Sequence, residues 1–246
     1  MRSPASSERR SPFALADLGR ALTDVDERLV VWKGGHDPDV HGDLDCAAPR
    51  TAWPPARAAV GAWAREQGLT ALVACDHAIG MLVVVGCGGP AGKRLLQVDL
   101  VDEKLAHAIP VWTADDLLPS TLLVDGVRAL APGAEGLARV LADRRDEAGA
   151  ALASADPDGA RRLGGRLGAR GALALRPGTP ARLALELVLA ARAVASPRRF
   201  ARAVATDSAR RACPVLDALA DGRALREAPE HWLTRVAAAH EVTGLA

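Results

Sequence analysis

The spacing of apolar positions divides this chain into two stretches of different character. Between 13 and 24, Phe13, Leu15, Leu18 and Leu22 recur at helical spacing and predict an α-helix. Leu29-Val30-Val31-Trp32-Lys33 reads as a strand stopped by Gly34-Gly35, and Asp43–Ala47 reads as a second, shorter strand. The stretch 51–67 predicts a helix, with Thr51 as its cap and prolines in its first turn. Val60, Trp63 and Ala64 lie on one face of it, and Gly68 is its stop. Three β runs follow, at 71–75, 81–85 and 94–101, the last two joined by a glycine-rich hairpin loop over 86–92.

Beyond Asp115 the β-branched runs thin out and long Ala/Leu/Arg segments take over. They predict helices over 134–152, 180–195, 197–221 and 228–242, with the glycine-rich segment 154–178 as a long loop around a short helix. The expectation is an α/β (α+β) chain in three parts. A flexible leader covers 1–12, a small mixed β-sheet with flanking helices covers 13–125, and an all-helical C-terminal lobe covers 126–246. The boundary falls near Asp125-Gly126 and Pro132-Gly133.

Composition narrows the class. The chain has 246 residues, 49% hydrophobic and 25% charged, with a net charge of +1, which fits a folded globular protein and not a disordered or polyanion-coating one. That balance hides an asymmetry. Residues 1–125 carry 12 basic and 17 acidic side chains, net −5, whereas 126–246 carry 19 and 13, net +6. A cation site facing an anion-attracting half fits this distribution. Four cysteines without a CxxC spacing argue against a zinc site and for a reduced setting. Arg9-Arg10 is followed too soon by Asp17 and Arg20 for an export signal, and no run reaches the roughly 18 apolar residues of a membrane span. A cytoplasmic protein without a membrane partner is expected.

The candidate chemistry lies in the first half. On a strand, Asp43 and Asp45 point to the same face, about 6–7 Å apart, while Leu44 points to the other. Asp99 sits inside the apolar run 94–101, where an aspartate needs a reason, either an ion pair with an arginine or a shared cation. Carboxylates so placed suit hard divalent cations, with phosphate oxygens completing the shell. Gly34 and Gly35 allow close approach of backbone N–H groups to a phosphate, and Lys33 stands beside them.

Strand–Gly-Gly, Asp-Leu-Asp on the next strand and an isolated Asp on a later one together resemble the nucleotidyltransferase superfamily with the DNA polymerase beta-like fold. The matching positions are Gly34 and Gly35, then Asp43 and Asp45, then Asp99, within about residues 13–112. The resemblance implies a sheet of nucleotidyltransferase type in which Asp43, Asp45 and Asp99 are catalytic and hold Mg²⁺, two ions in that family's mechanism. It also implies a nucleoside triphosphate donor held by Gly34, Gly35 and Lys33. A nucleoside monophosphate would pass to an acceptor (a small molecule, a protein side chain or an RNA end) as pyrophosphate leaves.

Other motifs fall away. The loop from Asp37 imitates an EF-hand but has Ala48 where glutamate is required. The glycines at 86–92 lead into a strand, so they lack the helix of a dinucleotide fingerprint, and Gly92-Lys93-Arg94 lacks the Ser/Thr of a P-loop. His36 and His41 flank the candidate site, and Trp32 is a candidate base-stacking residue beside it. Two rival functions remain: a non-catalytic binding or regulatory protein of the same fold, and an RNA-binding protein using the basic second half, with pairs such as Arg161-Arg162 and Arg198-Arg199.

Overall fold

The computed structural model describes residues 15–37, 43–69, 71–77, 80–87, 94–106, 109–143, 145–176, 178–198, 200, 201, 204 and 242–244. Helix α1 (Leu15–Val25) precedes strands β1 (Val30–Lys33) and β2 (Asp43–Ala47), and α2 (Trp53–Glu66) leads into β3 (Ala71–His77), β4 (Gly80–Cys87) and β5 (Arg94–Val101). A ribbon of β6 (Glu103–Ala106) and β7 (Ile109–Thr113) follows, then the short helix α3 (Ala114–Leu117) and a hairpin of β8 (Thr121–Val124) and β9 (Val127–Leu130). Helices α4 (Pro132–Ala142), α5 (Glu147–Ala155), α6 (Pro157–Leu167), α7 (Ala169–Ala174) and α8 (Thr179–Ala195) come next, and β10 (Val242–Gly244) closes the described chain. The protein is therefore mixed α/β.

The main sheet runs in the order β10-β3-β4-β5-β2-β1-β9-β8. It is mixed: β2 lies parallel to β5 and β1 parallel to β9, while the other neighbours are antiparallel. Alternation along the central strands sends residues to two cores. Val31, Leu44, Cys46, Leu96, Val98 and Leu100 pack with the apolar faces of α1 and α2. Val30, Trp32, Ala47 and Val101 pack on the other side with Trp112 and with Leu137, Leu141, Leu163 and Leu185 of the later helices. No helix among the described residues is long and apolar enough to cross a membrane.

Several sequence expectations change. Thr51 does not cap α2, which grows out of a 3₁₀ turn at Arg50–Ala52 and has no side-chain cap; the Thr51 hydroxyl instead accepts from Arg28 at 3.2 Å. The expected helix 134–152 is two helices. Asp146 breaks it, capping α5 through the Gly149 N–H at 2.7 Å. The segment 154–178, expected as a long loop around a short helix, carries two helices, α6 and α7, and its glycines serve packing. A Cβ on Gly171 would lie 2.4 Å from Gly164 Cα, so the two helices cross where neither has a side chain. Asp125-Gly126, expected near a domain boundary, is the tip of the β8–β9 hairpin, with φ of 48° and 84°. Both β9 and β10 lie beyond that point and belong to the main sheet. The leader, the loop 88–93 and most of the helices expected after 197 lie outside the described residues.

Candidate active site

The geometry of the site follows from register. On β2, Leu44 and Cys46 are buried in the core under α1 and α2, so Asp43 and Asp45 face the opposite side of the sheet. β5 runs parallel to β2 with Asp43 opposite Gln97 and Asp45 opposite Asp99. Register partners on adjacent strands share a face, with the strands about 4.8 Å apart. Three of the side chains singled out by sequence, Asp43, Asp45 and Asp99, thus lie on one face of two central strands. Asp45 is buried, at 9% exposure; Asp43 and Asp99 are half-buried.

Lys33 reaches the same face by an irregularity. Val30 pairs with Ala47 and Val31 with Cys46, but the register shifts between Val31 and Lys33, so that Lys33 stands opposite Asp45. Strict alternation would have sent Lys33 toward α1 and α2; the bulge turns it to the acidic face instead. Its Nζ donates to Asp45 Oδ2 at 2.7 Å. Burial works against the Lys33 charge, but attraction and hydrogen bonding from Asp45, helped by Asp43, hold its pKa above the usual lysine value. Gln97 Nε2 donates to Asp99 Oδ2 at 3.0 Å. Beneath them, burial first and the charges of Asp45 and Asp99 second raise the Cys46 thiol well above its ordinary pKa, which keeps it protonated and out of the chemistry.

The two glycines of the turn have separate reasons. Gly34 adopts φ 71°, a conformation glycine enters without strain. A Cβ on Gly35 would lie 2.6 Å from Ala129 Cβ, so this residue lets the turn close against β9. The Gly34 N–H donates to Glu135 Oε1 at 3.0 Å. Glu135, 3% exposed in the first turn of α4, also accepts from Arg139 Nη1 at 3.3 Å, and Arg139 forks onto Asp146 at 2.8 and 3.0 Å. Sequence reasoning missed Glu135, because a glutamate in a helical first turn is an ordinary surface residue by pattern. His36, expected as a flanking residue, donates from its ring to the Leu130 carbonyl at 2.7 Å. Trp32 is buried against Trp112, ring centroids 5.0 Å apart, with Lys104 over its ring, and is not available to stack a base. His41 lies outside the described residues.

Chemically, the face offers hard carboxylate oxygens with one ammonium already drawn among them, which suits a divalent cation or a polyphosphate–cation pair. Among the described residues, no group of three or more His, Cys, Asp or Glu side chains is gathered closely enough to hold a metal ion by itself. Comparison of the chain with protein-family models, with curated proteins and with solved structures finds no match.

Proposed function

We propose that this protein is a Mg²⁺-dependent nucleotidyltransferase that passes a nucleoside monophosphate from a nucleoside triphosphate to an acceptor hydroxyl. The observation that carries this reading is the pairing of Asp45 with Asp99 across two parallel strands, on the face that Lys33 also reaches. A mixed sheet with acids on one face of its centre and α1 and α2 on the other supports the nucleotidyltransferase-type fold that the sequence resembles.

In this reading Asp43, Asp45 and Asp99 hold Mg²⁺, which supplies charge neutralisation to the triphosphate when bound. The acceptor oxygen attacks the α-phosphorus, the bond to the β-phosphate oxygen breaks, pyrophosphate departs, and the acceptor proton passes to Asp99. Lys33 contributes a point charge to the phosphates. Since Glu135 already holds the Gly34 amide, the backbone contribution of the turn falls to Gly35, and Glu135 acts as a positioning residue. One observation favours a second reading, a non-catalytic protein of this fold. Lys33 and Gln97 already donate to Asp45 and Asp99, so these two carboxylates have hydrogen-bond partners of the chain's own.

The test is incubation with Mg²⁺ and each labelled nucleoside triphosphate against a panel of small hydroxylated molecules, proteins and RNA ends, with release of pyrophosphate as the readout. Turnover that disappears in Asp45→Asn and Asp99→Asn supports the reading. No pyrophosphate from any pair, or equal turnover in both variants, favours the non-catalytic one.

A further inference from the structure

A cleft of about 750 Å³ opens among α4, α5, α6, α7 and α8. Its volume lies within the roughly 300–1,000 Å³ of small-molecule sites. It goes beyond the function argued above, because it lies on a different side of α4. Glu135 points from α4 to the Gly34 turn, whereas Leu137 and Val140, which line the cleft, are rotated from Glu135 by about 200° and 140° at 100° per residue.

The lining has two chemical zones. Leu137 and Leu185, both almost fully buried, form an apolar floor. Arg161, Arg176 and Arg182 stand around it, and among the described residues no aspartate or glutamate joins them in the lining. Arg161 is answered by Asp158 at 2.6 Å. Arg176 and Arg182 are exposed and have neither an ion pair nor a side-chain hydrogen bond among the described residues. Gly178 and Thr179, at the start of the 17-residue α8, also line the cleft, and that helix start has no side-chain cap. Two unanswered guanidinium groups beside an apolar floor form a complementary surface for one kind of molecule. The forked donors match a carboxylate or phosphate, and the leucines match a hydrocarbon or aromatic body.

We propose that this cleft is a binding site for a small anionic amphiphile taken from solution, with its apolar body on Leu137 and Leu185 and its carboxylate or phosphate between Arg176 and Arg182. The test is calorimetric titration of the full chain with dodecanoate and dodecyl phosphate below their micelle concentrations, and with dodecyltrimethylammonium as the opposite charge. The expected result is one saturable site for both anions and binding of the cation weaker by about tenfold or more. Arg176→Glu combined with Arg182→Glu should weaken anion binding by about tenfold or more, since both charges are removed and reversed. Ser154→Trp, at an exposed position of the lining, should fill the cleft and weaken binding of either anion. Both variants alter exposed side chains, so an unchanged melting temperature certifies their folding. Absence of saturable binding, equal affinity for the cation, or full affinity in the double arginine variant overturns the proposal. Binding to phosphatidylglycerol vesicles without binding to monomeric dodecanoate also overturns it, in favour of a membrane surface.

Discussion

The amide of Gly34 donates to the carboxylate of Glu135 at 3.0 Å, joining the turn after β1 to the first turn of α4 across 101 positions of sequence. Glu135 is buried at 3% exposure, and its charge is answered by that amide and by Arg139. Removing the carboxylate leaves a buried N–H and part of a guanidinium without an acceptor. Glu135→Ala should lower stability by about 2–3 kcal/mol in chemical denaturation at neutral pH, and Glu135→Gln, which keeps an acceptor oxygen, by about 1 kcal/mol. Equal stability of the alanine variant and the parent protein would mean that the bond does not anchor the turn.

Gly35 presents a steric version of the same attachment. With Ala129 Cβ only 2.6 Å from where its own Cβ would stand, Gly35→Ala forces the turn after β1 away from β9 and should cost about 1–3 kcal/mol. Ala129→Gly removes the obstructing methyl. The double variant should therefore recover a large part of the loss, giving a coupling energy of about 1 kcal/mol or more in a double-mutant cycle. Strictly additive costs would place the origin of the glycine requirement elsewhere.

These two attachments show where sequence was informative. Asp99 stood out because it breaks an apolar run, and Asp43 and Asp45 because a period of two places such a pair on one face of a strand. Their partner Lys33 stood out as a neighbour of Gly-Gly, but its ion pair with Asp45 depends on a register shift that no local pattern announces. Glu135 and Ala129 are ordinary residues of a helix and a strand; what they do is set by parallel pairing of β1 with β9, a contact made across about a hundred residues. β8 and β9 have four residues each, too short for alternation to register, and their Asp125-Gly126 turn, a strong hairpin signal, sat where composition also changes. In 157–174 the glycines imitated a loop because close helix crossing and turn formation ask for the same residue.

Acid should unfold this protein through identifiable carboxylates. Asp156 accepts from the Gly159 N–H at 2.9 Å and from the Gly133 N–H at 3.0 Å, and these bonds lower its pKa from 3.8. Burial alone would raise Asp146, but Arg139 and the Gly149 amide lower it on balance; Asp26 is lowered first by its hydrogen bond to Arg28. A depressed folded-state pKa contributes stability that is fully present above the unfolded value and is lost as pH falls through the folded one. Denaturation midpoints should therefore hold steady above pH 5 and decline below about 3.8. Asp156→Ala removes the cap of α6 and its tie to α4, and should cost about 1–2 kcal/mol at pH 7 while flattening the acid decline. A variant as acid-sensitive as the parent would show that Asp156 has no part in it.

The ion pair between Lys33 and Asp45 separates the two readings of the acidic face. Lys33→Met leaves Asp45, 9% exposed and two residues from Asp43, without its ammonium, beside Asp99 on the next strand. Without added divalent cation the variant should lose about 1–3 kcal/mol. If the carboxylates form a cation site, Mg²⁺ should restore what the ammonium supplied. At about ten times its dissociation constant it would add roughly 1.4 kcal/mol, and at a hundred times about 2.7 kcal/mol, to the unfolding free energy. The parent protein should respond less at the same concentration, because Lys33 competes for Asp45. Asp45→Asn, which removes the shared carboxylate, should abolish the difference. A Lys33→Met variant whose melting temperature ignores Mg²⁺ up to tens of millimolar would assign Lys33 and Asp45 to a structural pair and leave the non-catalytic reading in possession of the site.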